Sequence, residues 1–185
     1  MKCEAVGEGG RNLLMAVDRS RGRKIVLYSI VVSSVGVGDY LMKYVDVFKH
    51  VKLLGRRERS TYFPRALRVI EVLVDADVLL GVDVTNYLGV LLGRVEGISS
   101  RVLVAVVDDY LVKIARSKLE DSLVVAEGSL RRHKVMLENL GLKPSVMYVL
   151  LGIADTLLAY TRIQVEDHGR RLRDVRSRMP LKWDL

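Results

Sequence analysis

The strongest constraint on this chain is the run Leu13-Leu14-Met15-Ala16-Val17, five apolar residues in a row followed directly by Asp18. A strand without polar alternation is buried on both faces, so it belongs at the centre of a sheet covered on both sides by other elements. Three further runs have the same form. Val78 to Val82 precedes Asp83, Arg101 to Val107 precedes Asp108 and Asp109, and Leu123 to Ala126 precedes Glu127. The intervening stretches, Thr85 to Val95 and Tyr110 to Lys118, have helical spacing. Strands alternating with helices imply crossover connections and a largely parallel region of sheet.

The exception lies at the start. Arg19-Ser20-Arg21-Gly22-Arg23 is a short polar link to a second β-rich run, Lys24 to Val32, which reads as a hairpin. A helix is expected from Asp39 to Leu54, because Leu41, Tyr44, Val45, Phe48, Val51 and Leu54 recur at three- and four-residue intervals, with Gly55 as its cap. The next helix starts at Ser60 or Thr61, with Pro64 in its first turn, and runs to Val74. The last third reads as helical: Ser129 to Leu140, then a long helix from Ser145 to Val165 that continues toward Arg178. No repeat or linker divides the 185 residues, which form one α/β domain, 1–185, with a basic helical tail over 162–185.

Composition narrows the function classes. Cys3 is the single cysteine, which excludes an internal disulfide and a cysteine-based zinc cluster and suits a reducing cytoplasm. His50, His133 and His168 share no metal spacing, and His50 and His133 read as solvent-facing helix residues. Gln164, Asn12, Asn86 and Asn139 are the only amides, a trait of heat-adapted proteins. Polar residues precede the first apolar run, and no apolar stretch reaches membrane-spanning length, so neither a signal peptide nor a membrane partner is expected. There is no phosphate-binding glycine loop and no nucleophile elbow. The net charge of +8 favours polyanions. Arg170, Arg171, Arg173, Arg176 and Arg178 in the tail are candidate phosphate contacts, with a solvated helix paired to Glu166, Asp167 and Asp174 as the structural alternative; Leu172, Val175, Met179 and Trp183 would serve a homodimer.

The acids carry the chemistry. Parallel strands bring their carboxyl ends to one edge of a sheet, where ligands of open α/β sheets bind. Carboxylates gathered there repel one another until a hard divalent cation, Mg or Mn, relieves them. Asp155 is a further acid inside the apolar helix, flanked by Ile153, Ala154, Leu157 and Leu158. The same acids have structural readings: Asp83 and Asp109 as helix N-caps, and Asp155 as a partner of Arg162.

The stretches Ala16-Val17-Asp18-Arg19-Ser20, Val104-Ala105-Val106-Val107-Asp108-Asp109 and Leu151-Gly152-Ile153-Ala154-Asp155-Thr156-Leu157-Leu158-Ala159-Tyr160, in this order, resemble the ribonuclease H-like superfamily. Within it they are most similar to a group of uncharacterised prokaryotic and archaeal proteins with an early Asp-x-Ser turn and a late Ala-Asp helix. The resemblance implies a ribonuclease H-like mixed sheet, an N-terminal hairpin plus parallel strands flanked by helices. It also implies a nuclease or nuclease-derived activity, with Asp18, Asp108 and Asp155 as metal ligands and Asp109 or Glu58 as auxiliary acids. The alternative is a catalytically inert module that binds nucleic acid or protein. The sequence departs from the group after Asp18, where Arg-Ser-Arg-Gly-Arg replaces the usual acid and early glycine.

Overall fold

The computed structural model describes residues 12–96, 102–106, 109–119, 122–139, 141–183 and 185. Strand β1 (Leu13–Arg21) turns at Gly22, whose N–H donates to the Ile25 carbonyl, into β2 (Val26–Ser34). Short helical turns follow, including α1 (Gly38–Leu41), before the long helix α2 (Arg56–Asp75). Then come β3 (Leu79–Thr85), α3 (Leu88–Glu96), β4 (Val102–Val106), α4 (Asp109–Lys118) and β5 (Leu123–Ala126). The chain ends with α5 (Lys134–Asn139), α6 (Pro144–Arg162), α7 (Leu172–Arg176) and β6 (Lys182–Trp183).

The six strands among the described residues form one sheet in the order β5-β4-β1-β2-β3-β6. The expected ribonuclease H-like layout, a hairpin followed by parallel strands, is corrected here. Antiparallel pairing is not confined to a hairpin but runs through the four neighbours β1, β2, β3 and β6; parallel pairing is limited to β1 with β4 and β4 with β5. Two physical reasons account for the difference. The helix before β3 delivers it to the free edge of β2, antiparallel to that strand, where a crossover onto a parallel partner was expected. The tail then adds a strand of its own: Trp183 packs so closely on Gly81 that a Cβ there would stand 3.0 Å from the indole ring.

Strand periodicity divides the core in two. Leu14 and Ala16 of β1, with Val31 and Val82, face α6 and α2; Leu13, Met15 and Val17, with Ile30 and Val32, face α3 and α4. Helix α6 is apolar nearly all round because it is a central core helix, packed on β1 and β2. It is long and apolar enough to cross a membrane by length and composition, and most of it is buried inside the fold. Helix α2 buries one stripe, Phe63, Ala66, Ile70, Leu73 and Val74.

The continuous helix expected over 39–54 does not form. Tertiary partners take its backbone donors: Lys49 N–H donates to the Tyr62 hydroxyl and Val51 N–H to the Asp155 carboxylate, and Phe48 packs on Gly152, where a Cβ would stand 2.7 Å from the Phe48 Cβ. Gly55 is therefore the N-cap of α2 and not a C-cap, so α2 starts earlier than expected and holds Pro64 in its interior. The expected extension of the long helix to Arg178 is also interrupted. After Arg162 the chain makes a wider π turn over Ile163–Asp167 and then a left-handed residue at Gly169, φ +63.

Candidate functional site

The α6-facing side of β1 carries Leu14, Ala16 and then Asp18, so the same alternation that builds the core delivers a carboxylate to its margin. Asp18 is not at the end of its strand, as the sequence suggests; it pairs with Ser29 in mid-ladder and is 6% exposed. On α6, Leu151, Asp155 and Ala159 are spaced by four residues and share one face, which lines the same cavity as Asp18. The cavity has a volume of about 360 Å³.

Its floor is acidic. Asp155 Oδ2 accepts the Val51 N–H at 3.0 Å, and His50 stands between two acids, Nδ1 3.6 Å from Asp155 and Nε2 3.5 Å from Glu127. Its rim is basic, with Arg19, Arg21, Lys52, Arg59 and Arg162. Asp18 itself makes no ion pair among the described residues. Its hydrogen bond is to the next residue, from Arg19 N–H at 2.6 Å. Burial first, and then the negative charge of Asp155, push the Asp18 carboxyl up from 3.8 to about 7; Glu127 adds to the rise, while the Arg19 N–H and Lys52 oppose it. Across the ladder, on the same face, the buried Ser29 hydroxyl has no hydrogen-bond partner among the described residues.

The expected site residues fall into separate places. Asp18 and Asp155 come together. Asp108 lies outside the described residues, and Asp109 opens α4. Glu58 is spent on α2, its carboxylate accepting the Gly55 N–H at 2.6 Å at the helix start. Asp83 does not cap a helix. It is a buried strand residue held by Arg94 at 2.6 Å, by Arg176 at 2.7 Å and by its own neighbour's Val84 N–H at 2.7 Å. Arg176, expected to contact phosphate, is thus tied to Asp83, while Arg170, Arg171 and Arg173 are exposed.

Sequence reasoning missed His50 and Lys52, which line the cavity from the 39–54 segment that is not a continuous helix, and Arg59, which lines it from the start of α2. Glu127 was legible as a strand-terminal acid. Among the described residues no three His, Cys, Asp or Glu side chains are spaced to hold a metal ion. The donors that do meet, Asp18 and Asp155, are hard oxygen ligands of the type Mg²⁺ and Mn²⁺ take, and Mg²⁺ is commonly held by one or two carboxylates with substrate phosphate and water completing its shell. The sequence matches no protein-family model and no curated protein.

Proposed function

We propose that this cavity hydrolyses nucleic-acid phosphodiesters with the help of a divalent cation, Mg²⁺ or Mn²⁺. One observation carries the reading: Asp18 is a buried acid beside a second acid, with no side-chain cation bonded to it among the described residues, in a cavity whose rim is basic. That combination leaves negative charge for an added cation to relieve and positive charge for an anionic substrate to meet.

Asp18 and Asp155 would hold the cation, which supplies Lewis-acid stabilisation of phosphoryl charge and a more acidic water. Lys52, Arg59 and Arg162 at the rim orient the phosphate; guanidinium groups suit its paired oxygens. His50, exposed over 61% of its side chain and placed between Asp155 and Glu127, is the residue that takes up or delivers a proton. The second reading, an inert nucleic-acid-binding module, draws on the absence of a three-ligand cluster among the described residues and predicts salt-sensitive binding without a metal requirement.

The deciding measurement is calorimetric titration of Mn²⁺ into the protein, Asp18→Asn and Asp155→Asn. Saturable binding in the wild type, lost in both variants, supports the cation site and is followed by cleavage assays on DNA and RNA. Folded wild-type protein that binds no Mn²⁺ overturns it in favour of the inert module.

A further inference from the structure

A second cavity, of about 390 Å³, adjoins the acidic one and shares Arg21, Arg59 and Arg162 with it; Arg23 extends the series. Among the described residues, Arg21, Arg59 and Arg162 form no salt bridge. Two of them are aimed by single hydrogen bonds, Arg59 Nε to the Leu54 carbonyl at 3.0 Å and Arg162 Nη1 to the Ser20 hydroxyl at 3.2 Å. A guanidinium has five N–H donors, so each retains most of its fork for a ligand. Arg23 has only a loose, exposed contact with Asp167 at 3.7 Å.

Two acids, Glu166 and Asp167, line this second cavity beside the arginines, and the carboxylate of Glu166 is engaged by backbone donors of the β1–β2 turn. The π turn after α6 brings the Glu166 carboxylate onto the β1–β2 turn, where it accepts the Lys24 N–H at 2.8 Å. Gly22 makes that approach possible, since a Cβ there would stand 2.1 Å from Glu166 Oε1. The hairpin tip that carries Arg21 and Arg23 is thereby fixed beside α6, which carries Arg162.

We propose that Arg21, Arg23, Arg59 and Arg162 form a phosphate track leading from the acidic cavity along the β1–β2 turn, so that the protein engages an extended nucleic-acid strand and not a single nucleotide. This rests on the phosphodiester reading above and names the form of its substrate. The shared arginines place one phosphate at the junction of the two cavities and the next toward Arg23. No Phe, Tyr or Trp side chain lines either cavity among the described residues, and the His50 imidazole stands between two carboxylates, so the contacts read backbone and not base, and binding is independent of sequence.

The test is fluorescence anisotropy of a labelled oligothymidylate in EDTA, with thymidine monophosphate as competitor, at several salt concentrations. EDTA removes the cation, so the track is read separately from Asp18 and Asp155. The double variant Arg21→Gln/Arg162→Gln should weaken binding at least tenfold and lower the slope of log affinity against log salt by roughly 0.7 per arginine. The control Arg170→Gln/Arg171→Gln should change both far less. Circular dichroism checks folding; if the double variant does not fold, Arg23→Gln, whose side chain is 84% exposed, is read for its own slope change of roughly 0.7. Unchanged affinity and slope in the track variants, or monophosphate binding as tightly as the oligomer, overturns the track. Track binding that survives while Mn²⁺ binding fails removes the catalytic reading and leaves the strand-binding one. The converse, Mn²⁺ bound but the track variants silent, removes the track alone.

Discussion

Asp18 and Asp83 invite comparison because the sheet treats them almost identically. Strands β1 and β3 flank β2, and Asp18 pairs with Ser29 while Asp83 pairs with the adjacent Ile30. Both acids are buried at the same end of the sheet, on opposite faces. Their surroundings differ completely. Asp83 meets two guanidinium groups, Arg94 from α3 and Arg176 from α7, and so ties both helices to the strand. Arg94 also stands over the Trp183 ring of β6, 5.4 Å from its centre. Asp18 meets another acid. A buried carboxylate with its charge matched is a clamp; one buried beside a like charge destabilises the fold until a proton or a cation arrives.

The sharpest way to break this contrast is Asp83→Asn. It leaves two partly buried arginines unmatched, and urea unfolding should show a loss of about 3 kcal/mol, the low end for a broken buried pair because each arginine side chain is about a third exposed. A loss under about 1 kcal/mol would mean that Asp83 is no clamp.

Asp18→Asn should act in the opposite direction. The folded carboxyl, at about 7, holds its proton more tightly than the unfolded one, at 3.8, so stability falls as pH rises between these values and the penalty is complete above them. At pH 8 the variant should be more stable than wild type by about 2 kcal/mol, allowing for the weaker hydrogen bond that a neutral amide oxygen accepts from the Arg19 N–H, and the gain should vanish below the unfolded value. Thermal melts across pH measure this; a gain that does not depend on pH would remove the charge argument. The smallest effect separates a cap from a ligand. Glu58→Ala should lose about 1 kcal/mol from the start of α2 and leave Mn²⁺ binding unchanged. Loss of metal binding would return Glu58 to the site.

Much of the fold was legible. The double-buried run at Leu13 to Val17, the hairpin partner, the apolar stripe of α2 and the long apolar helix all follow from local periodicity. Asp18 and Asp155 stood out as acids bordering or interrupting apolar runs. What misled was also local. The 39–54 segment has helical spacing, but Asp155 and Tyr62 take its backbone donors from 104 and 13 residues away. The tail has helical composition, but Lys182 and Trp183 find an open edge on β3.

The sequence by itself determined which segments are apolar enough to be buried, and therefore where strands, helices and intruding acids stand along the chain, because burial periodicity is a property of neighbouring residues. Tertiary structure alone decided that β3 runs antiparallel to β2, that β6 closes its edge, and that two similar aspartates have opposite surroundings. Those outcomes depend on which groups meet across the sheet, on partners such as Arg176, 93 residues from Asp83, whose contact no local pattern encodes.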